Sequence, residues 1–93
     1  MKILKLTIKK EYFDKIKSGK KKVEYRWFKK YWNQRLMNKD GSIKNFDAVE
    51  FKNGYSSDSP KVLVSCKGIG FAMAKSPLGK GMQWLIGLGD IID

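Results

Sequence analysis

The sequence predicts an α+β domain, a small mixed sheet of five strands curled toward a barrel, with two short helices. Three observations carry that expectation. Between Lys2 and Phe28 the apolar period switches from two to helical spacing and back to two. Only two segments have helical spacing, and a sheet with so few helices covers its apolar surface most economically by curling. The 93 residues, 42% hydrophobic with three Trp, four Tyr and five Phe, suit one domain over 1–93 with a single modest core.

Lys2 to Ile8 alternates, with Leu4, Leu6 and Ile8 on one side, as a strand with one buried face does. Lys9 to Ser18 takes helical spacing, with Tyr12, Phe13 and Ile16 as the apolar stripe and Glu11–Lys15 as an i,i+4 pair on the solvated side. Gly19 suits the left-handed position that ends such a helix. In Lys21 to Phe28 the period returns to two. Val23, Tyr25 and Trp27 are expected to face the core, and Lys22, Glu24 and Arg26 to form a charged stripe opposite. Lys30 to Met37 reads as a short helix presenting Tyr31, Trp32 and Leu36, followed by a polar loop from Asn38 to Asn45. Phe46 to Lys52 and Lys61 to Lys67 read as a hairpin whose connection, Asn53 to Pro60, is rich in turn formers. Gly68 to Met82 is glycine-rich and reads as a flexible loop before a last strand, Gln83 to Ile92.

The formal charge of +11 is one-sided. Residues 1–44 hold fifteen Lys and Arg against four Asp and Glu, whereas residues 45–93 hold five of each. Charge of that density attracts polyanions, so nucleic acid is the leading partner class. Cys66 is the lone cysteine and histidine is absent, which excludes an internal disulfide, the common zinc sites and a His-based triad. No metal or cofactor is expected. No apolar run approaches the roughly 20 residues that span a bilayer, and Lys2 and Lys5 interrupt the first apolar stretch, so neither a membrane partner nor a secretory signal is expected. A reduced, cytoplasmic setting fits, with Cys66 as a small core residue.

The most informative stretch is Ser18 to Arg26, SGKKKVEYR. Lys21 offers a flexible point charge to phosphate, and Arg26 a planar fork for phosphate or a guanine edge. Glu24 is either their ion-pair partner or an acceptor for base amino groups. Tyr25, Trp27, Tyr31, Trp32 and Tyr55 offer rings on which an unpaired base stacks. Plainer roles stand beside these. Glu24 and Arg26 can form a purely structural salt bridge, and Tyr25 and Trp27 can be core. Lys20, Lys21 and Lys22 can be a solvated run complementing the helix dipole, and Trp32 and Arg35 can stack on each other. Asn53 and Tyr55 form either a turn with an aromatic cover or a flap over a base.

Gly19, Lys21, Glu24 and Arg26 fit the pattern G-x-K-x-x-E-x-R after an amphipathic helix, EYFDKIKSGKK, and in this the chain resembles the ASCH family, relatives of the PUA RNA-binding domain. The resemblance spans nearly the whole chain. YWNQR and KNGYSSDSP further resemble a compact subgroup from bacteriophages and Gram-positive bacteria. It implies a PUA-like pseudo-barrel with a cleft beside the first helix that binds single-stranded RNA or a modified nucleoside. The residues it would gather there are Lys20, Lys21, Lys22, Glu24, Arg26, Trp32, Arg35, Asn53 and Tyr55. Some relatives hydrolyse acetylated cytidine with the motif lysine, a threonine three positions later and a downstream glutamate. Here Lys21 is followed at that distance by Glu24, and Glu50, the one later glutamate, lies in an earlier strand than that role requires. Binding is therefore expected ahead of catalysis. The alternatives are an RNA-directed hydrolase, ribonuclease or nucleoside amidohydrolase, using Lys21 and Glu24 as acid and base, and a phage-encoded factor with a protein partner.

Overall fold

The computed structural model describes residues 1–92; Asp93 lies outside the described residues. The elements follow the order β-α-β-α-β-β-β that the periodicity predicts: β1 (Ile3–Thr7), α1 (Lys10–Lys17), β2 (Val23–Trp27), α2 (Lys30–Leu36), β3 (Ala48–Lys52), β4 (Lys61–Ser76) and β5 (Gly79–Ile92). They form one mixed sheet in the order β1-β3-β4-β5-β2, in which β1 and β3 are parallel and every other pair antiparallel. The sheet is open, with β1 and β2 as its edges. Among the described residues no helix is long and apolar enough to cross a membrane.

Cross-strand partners point to the same face, so the register identifies the core side. Leu4 and Leu6 face Val49 and Phe51, which face Val64 and Val62. Phe13 and Ile16 of α1 and Leu36 of α2 complete this core, and Trp84 and Ile86 continue it along β5. Trp84 has no exposed surface, and its indole Nε1 donates to Asn33 Oδ1 of α2 at 2.8 Å, which satisfies the one polar atom of a buried ring. Cys66 is partly buried against the same cluster.

Helix α1 ends as its sequence requires. Gly19 adopts φ +77°, Gly19 N–H donates to the Ile16 carbonyl and Lys20 N–H to the Lys15 carbonyl, the double closure of a Schellman motif. This turn aims the following lysines back along the sheet. The ion pair on the helix is Lys10–Asp14 at 2.7 Å, in place of the expected Glu11–Lys15.

Two expectations are corrected. Gly68 to Met82 is no loop: β4 runs to Ser76 and β5 begins at Gly79, so the segment is an arm of antiparallel hairpin closed by Pro77 and Leu78. The glycines that read as breakers shape the arm. Gly79 adopts φ +128°, and a Cβ added at Gly79 or Gly81 would lie 3.4 or 3.0 Å from the Trp27 ring, so the two glycines let the indole lie against the strand. Gln83, fully buried, fastens the arm. Its Nε2 donates to the carbonyls of Ala74 (3.0 Å) and Gly79 (2.9 Å), and its Oε1 accepts from Ser76 Oγ (2.6 Å).

The second correction concerns β2. Glu24 pairs with Ile86 and Arg26 with Trp84, so the charged residues share the core face. Glu24 is buried, while Val23, Tyr25 and Trp27 are half-buried on the other side.

Gln83→Leu keeps the volume of the side chain and removes its hydrogen bonds. It is expected to cost about 1–2 kcal/mol, because the groups it leaves behind lie on exposed or half-buried residues and regain water in part, and a typical hydrogen bond is worth about 0.5–1.5 kcal/mol. Urea unfolding checks the loss, and faster amide exchange confined to the arm locates it.

Candidate functional site

Turning β2 inward puts a carboxylate where an apolar side chain was expected, and Glu24 is compensated on every side. Its Oε2 accepts from Arg26 Nη2 at 2.6 Å, and its Oε1 faces Lys21 Nζ at 3.3 Å and accepts from the Tyr25 N–H at 3.1 Å. The side chains of Glu24, Lys21 and Arg26 are 8%, 11% and 20% exposed, so the three charges form a largely desolvated triad with a net charge of one positive unit.

Aromatic rings hold the two cations. Lys21 Nζ lies 5.2 Å from the centroid of Tyr12 and 5.6 Å from that of Tyr25, within the reach of a cation–π contact. The Arg26 guanidinium lies over the Trp32 ring at 4.9 Å, and Arg35 over the same ring at 5.1 Å.

The two arginines also bridge the open side of the sheet. Arg26 Nη2 donates to the Thr7 carbonyl (3.2 Å) and Arg35 Nη2 to the Lys5 carbonyl (2.9 Å), both on the edge strand β1. Carbonyls two apart on a strand point to the same side, so side chains from β2 and α2 serve an edge that has no ladder partner. Arg26 Nε is buried without a partner, an unmet donor in this group.

Where β1 and β2 are not laddered, a cleft opens. It measures about 340 Å³ and is lined by Thr7, Ile8 and Lys9 at the end of β1, Tyr12 of α1, Lys21, Glu24, Tyr25 and Arg26, and Pro77 and Leu78 at the tip of the arm. A second hollow of about 320 Å³ adjoins it, sharing Tyr12, Lys21, Tyr25 and Pro77 and adding Lys15, Lys20 and Lys22. No family model matches this chain, and neither a curated protein nor a solved structure matches it. Among the described residues no group of three or more His, Cys, Asp or Glu side chains is placed to hold a metal ion.

The residues singled out from the sequence separate into four sets. Lys21, Glu24 and Arg26 meet in the cleft, and Lys20 and Lys22 line the hollow beside it. Trp32 and Arg35 act one step away, as the stacking partner of Arg26 and the second bridge to β1. Asn53 serves the wall: its Nδ2 donates to the Ile8 carbonyl at 2.9 Å. Tyr55 is 91% exposed in the β3–β4 connection and does not line the cleft.

Thr7, Lys9, Pro77 and Leu78 had no signal in the sequence, because they arrive from the end of one strand and the tip of a distant hairpin. Tyr12 had a signal that pointed elsewhere, since it continues the apolar stripe of α1. Arg26 was expected on a charged stripe facing away from the core; it and Lys21 line the cleft with side chains that are largely desolvated, so truncating either is expected to cost stability.

Glu24→Gln keeps the shape and removes the charge that balances two cations. It is expected to cost about 3 kcal/mol, the lower end of the 3–5 kcal/mol for breaking a buried ion pair, because Arg26 keeps a fifth of its side chain in solvent. Arg26→Ala is expected to lower the melting temperature as well, whereas Lys20→Ala leaves it at the wild-type value. Thermal and urea unfolding of the three variants checks this order.

Proposed function

We propose that the chain is an RNA-binding module of the ASCH type, PUA-like in architecture, which takes an unpaired base or a modified nucleoside in the cleft between β1 and β2. One observation carries the reading: the cleft sets two tyrosine rings beside a buried Lys–Glu–Arg triad and opens directly onto a hollow lined by four lysines. A base needs a ring to stack on and fixed polar groups at its edge, and the phosphates beside it need mobile cations. At about 340 Å³ the cleft is at the small end of the ~300–1,000 Å³ typical of small-ligand pockets, which suits one base and not a duplex.

In this reading each group has its own task. Tyr12 and Tyr25 present the stacking surfaces. Arg26, held by Glu24, the Thr7 carbonyl and Trp32, is a preorganised donor whose orientation does not have to be fixed at the moment of binding. Lys15, Lys20 and Lys22 neutralise the backbone of the strand that leads into the cleft. The bridging of β2 to β1 by Arg26, with Arg35 of α2 beside it, supports the pseudo-barrel, in which the two edges come together. The cytoplasm is the compartment such a module would occupy.

Hydrolysis is the second reading, because Thr7 brings a hydroxyl-bearing residue to the cleft that holds Lys21 and Glu24. Binding ranks first, since Lys21 Nζ is engaged by Glu24 Oε1 and by two rings and so is positioned to hold a ligand.

Affinity for a uridine oligomer is expected to fall steeply with salt, with a log–log slope of about −0.7 per phosphate neutralised. The double substitution Lys20→Ala with Lys22→Ala should make that slope shallower by about 1.4. Tyr25→Ala should weaken binding by about 1–3 kcal/mol if one base stacks there. Fluorescence titration at several salt concentrations checks all three, and affinity that is flat in salt overturns the reading. Acetylated cytidine incubated with the protein is expected to remain intact. Turnover abolished by both Lys21→Ala and Thr7→Val would replace the binding module by an amidohydrolase.

A further inference from the structure

The arm formed by β4 and β5 has an edge that the rest of the molecule leaves open and a face that it covers only in part, where Phe71 packs on Phe28 and Trp84. Strand β4 pairs with β3 only from Lys61 to Ser65, after which bulges at Val64/Cys66 and Cys66/Gly68 turn it away. From Lys67 to Ser76 it has β5 on one side and, among the described residues, no strand on the other. One face of the arm is covered, by Trp27 against Gly79 and Gly81 and by the buried Gln83. The opposite face presents Phe71, Met73 and Met82, which are 44%, 64% and 40% exposed, with Met73 directly across from Met82. Unpaired backbone beside exposed apolar side chains is the combination that invites a further strand.

Charge decides which strand. From Lys67 to Gly89 the chain contains three lysines and no acidic residue. Lys67 and Lys75 stand at the two ends of the free edge, both exposed. A second copy paired antiparallel about Phe71 would set Lys67 opposite Lys75 of its mate, twice over, between two chains of charge +11. Like charges directly opposite destabilise a pairing and unlike charges stabilise it. Nucleic acid fits this edge less well than the cleft, since the lysines are spread over the length of the arm and the surface between them is methionine and phenylalanine. Methionine, flexible and polarisable, adapts to packing against protein side chains.

We infer that the free edge of β4 between Lys67 and Ser76 receives an extended acidic segment of a partner protein, which adds a strand to the sheet and packs alternate apolar side chains on Phe71 and Met73. The site is separate from the cleft, and its test is independent of RNA binding. The probes are two synthetic nonapeptides with Val at positions 3, 5 and 7 and Ser between, one carrying Glu at both ends (the Glu peptide) and one carrying Lys at both ends (the Lys peptide), so that in antiparallel register the ends meet Lys75 and Lys67 and Val meets Met73 and Phe71; each is titrated into the full chain and followed by amide exchange. The Glu peptide is expected to protect amides between Lys67 and Ser76, and the Lys peptide to protect none. The double substitution Lys67→Glu with Lys75→Glu, at two exposed positions that the fold does not need, should reverse the preference by about threefold to tenfold, as two partly exposed ion pairs would. Absence of protection by the Glu peptide at millimolar concentration overturns the inference, and so does a preference unchanged by the double substitution. Sedimentation showing a dimer that Met73→Glu disperses would assign the edge to a second copy instead. Protection of the same amides by a uridine oligomer, with none by the Glu peptide, would assign it to nucleic acid.

Discussion

A carboxylate taken out of water must be balanced where it lies, and the balancing of Glu24 organises this molecule. Its two oxygens bind a lysine from the turn after α1, an arginine two residues along its own strand and the backbone of its neighbour. Each of those partners then has a second attachment: Lys21 to two tyrosine rings, Arg26 to Trp32 and to the Thr7 carbonyl. One buried charge thus ties α1, β1, β2 and α2 together across the opening between the two edge strands of the sheet. Desolvation of an ion costs several kcal/mol, so the arrangement is stable only as a complete set. The same requirement holds Arg26 in place beside the cleft.

The sheet order explains why the cleft has such mixed walls. With β1 and β2 at opposite edges, the first two strands of the chain meet only through side chains, and the gap is finished by α1 on one side and by the tip of the β4–β5 arm on another. Gly79 and Gly81 let the arm lie against Trp27, and Gln83 fixes its end, so Pro77 and Leu78 arrive at the cleft from a segment some fifty residues after the motif strand.

The order and type of all seven elements were legible because strand and helix periods are local. The helix stop at Gly19 was legible because only glycine suits a position of φ +77° there. The arm was not, since Gly68, Gly70, Pro77, Gly79 and Gly81 carry turn chemistry, the hairpin closes over only Pro77 and Leu78, and the indole that packs on Gly79 and Gly81 comes from Trp27, far away in sequence. The facing of β2 was misread for a related reason. Alternation separates two sets of side chains but does not say which set is inside, and charge normally settles that choice. Here Ile86 and Trp84, which pair with Glu24 and Arg26, settle it the other way. The motif residues themselves were found because Lys21, Glu24 and Arg26 are near neighbours in the chain. Thr7, Lys9, Pro77 and Leu78 needed the fold to bring them there.

Two strands joined by a ladder are held about 4.8 Å apart, whatever their side chains. Strands joined by one arginine side chain, as Arg26 joins β2 to the Thr7 carbonyl of β1, are not, because the spacing follows the length and rotamer of that side chain. The mouth between β1 and β2 is therefore the one dimension of this domain that substitution can resize without breaking a backbone hydrogen bond within the sheet. A seam of this kind sets the width of an opening through side chains alone, while every strand keeps its ladder neighbour.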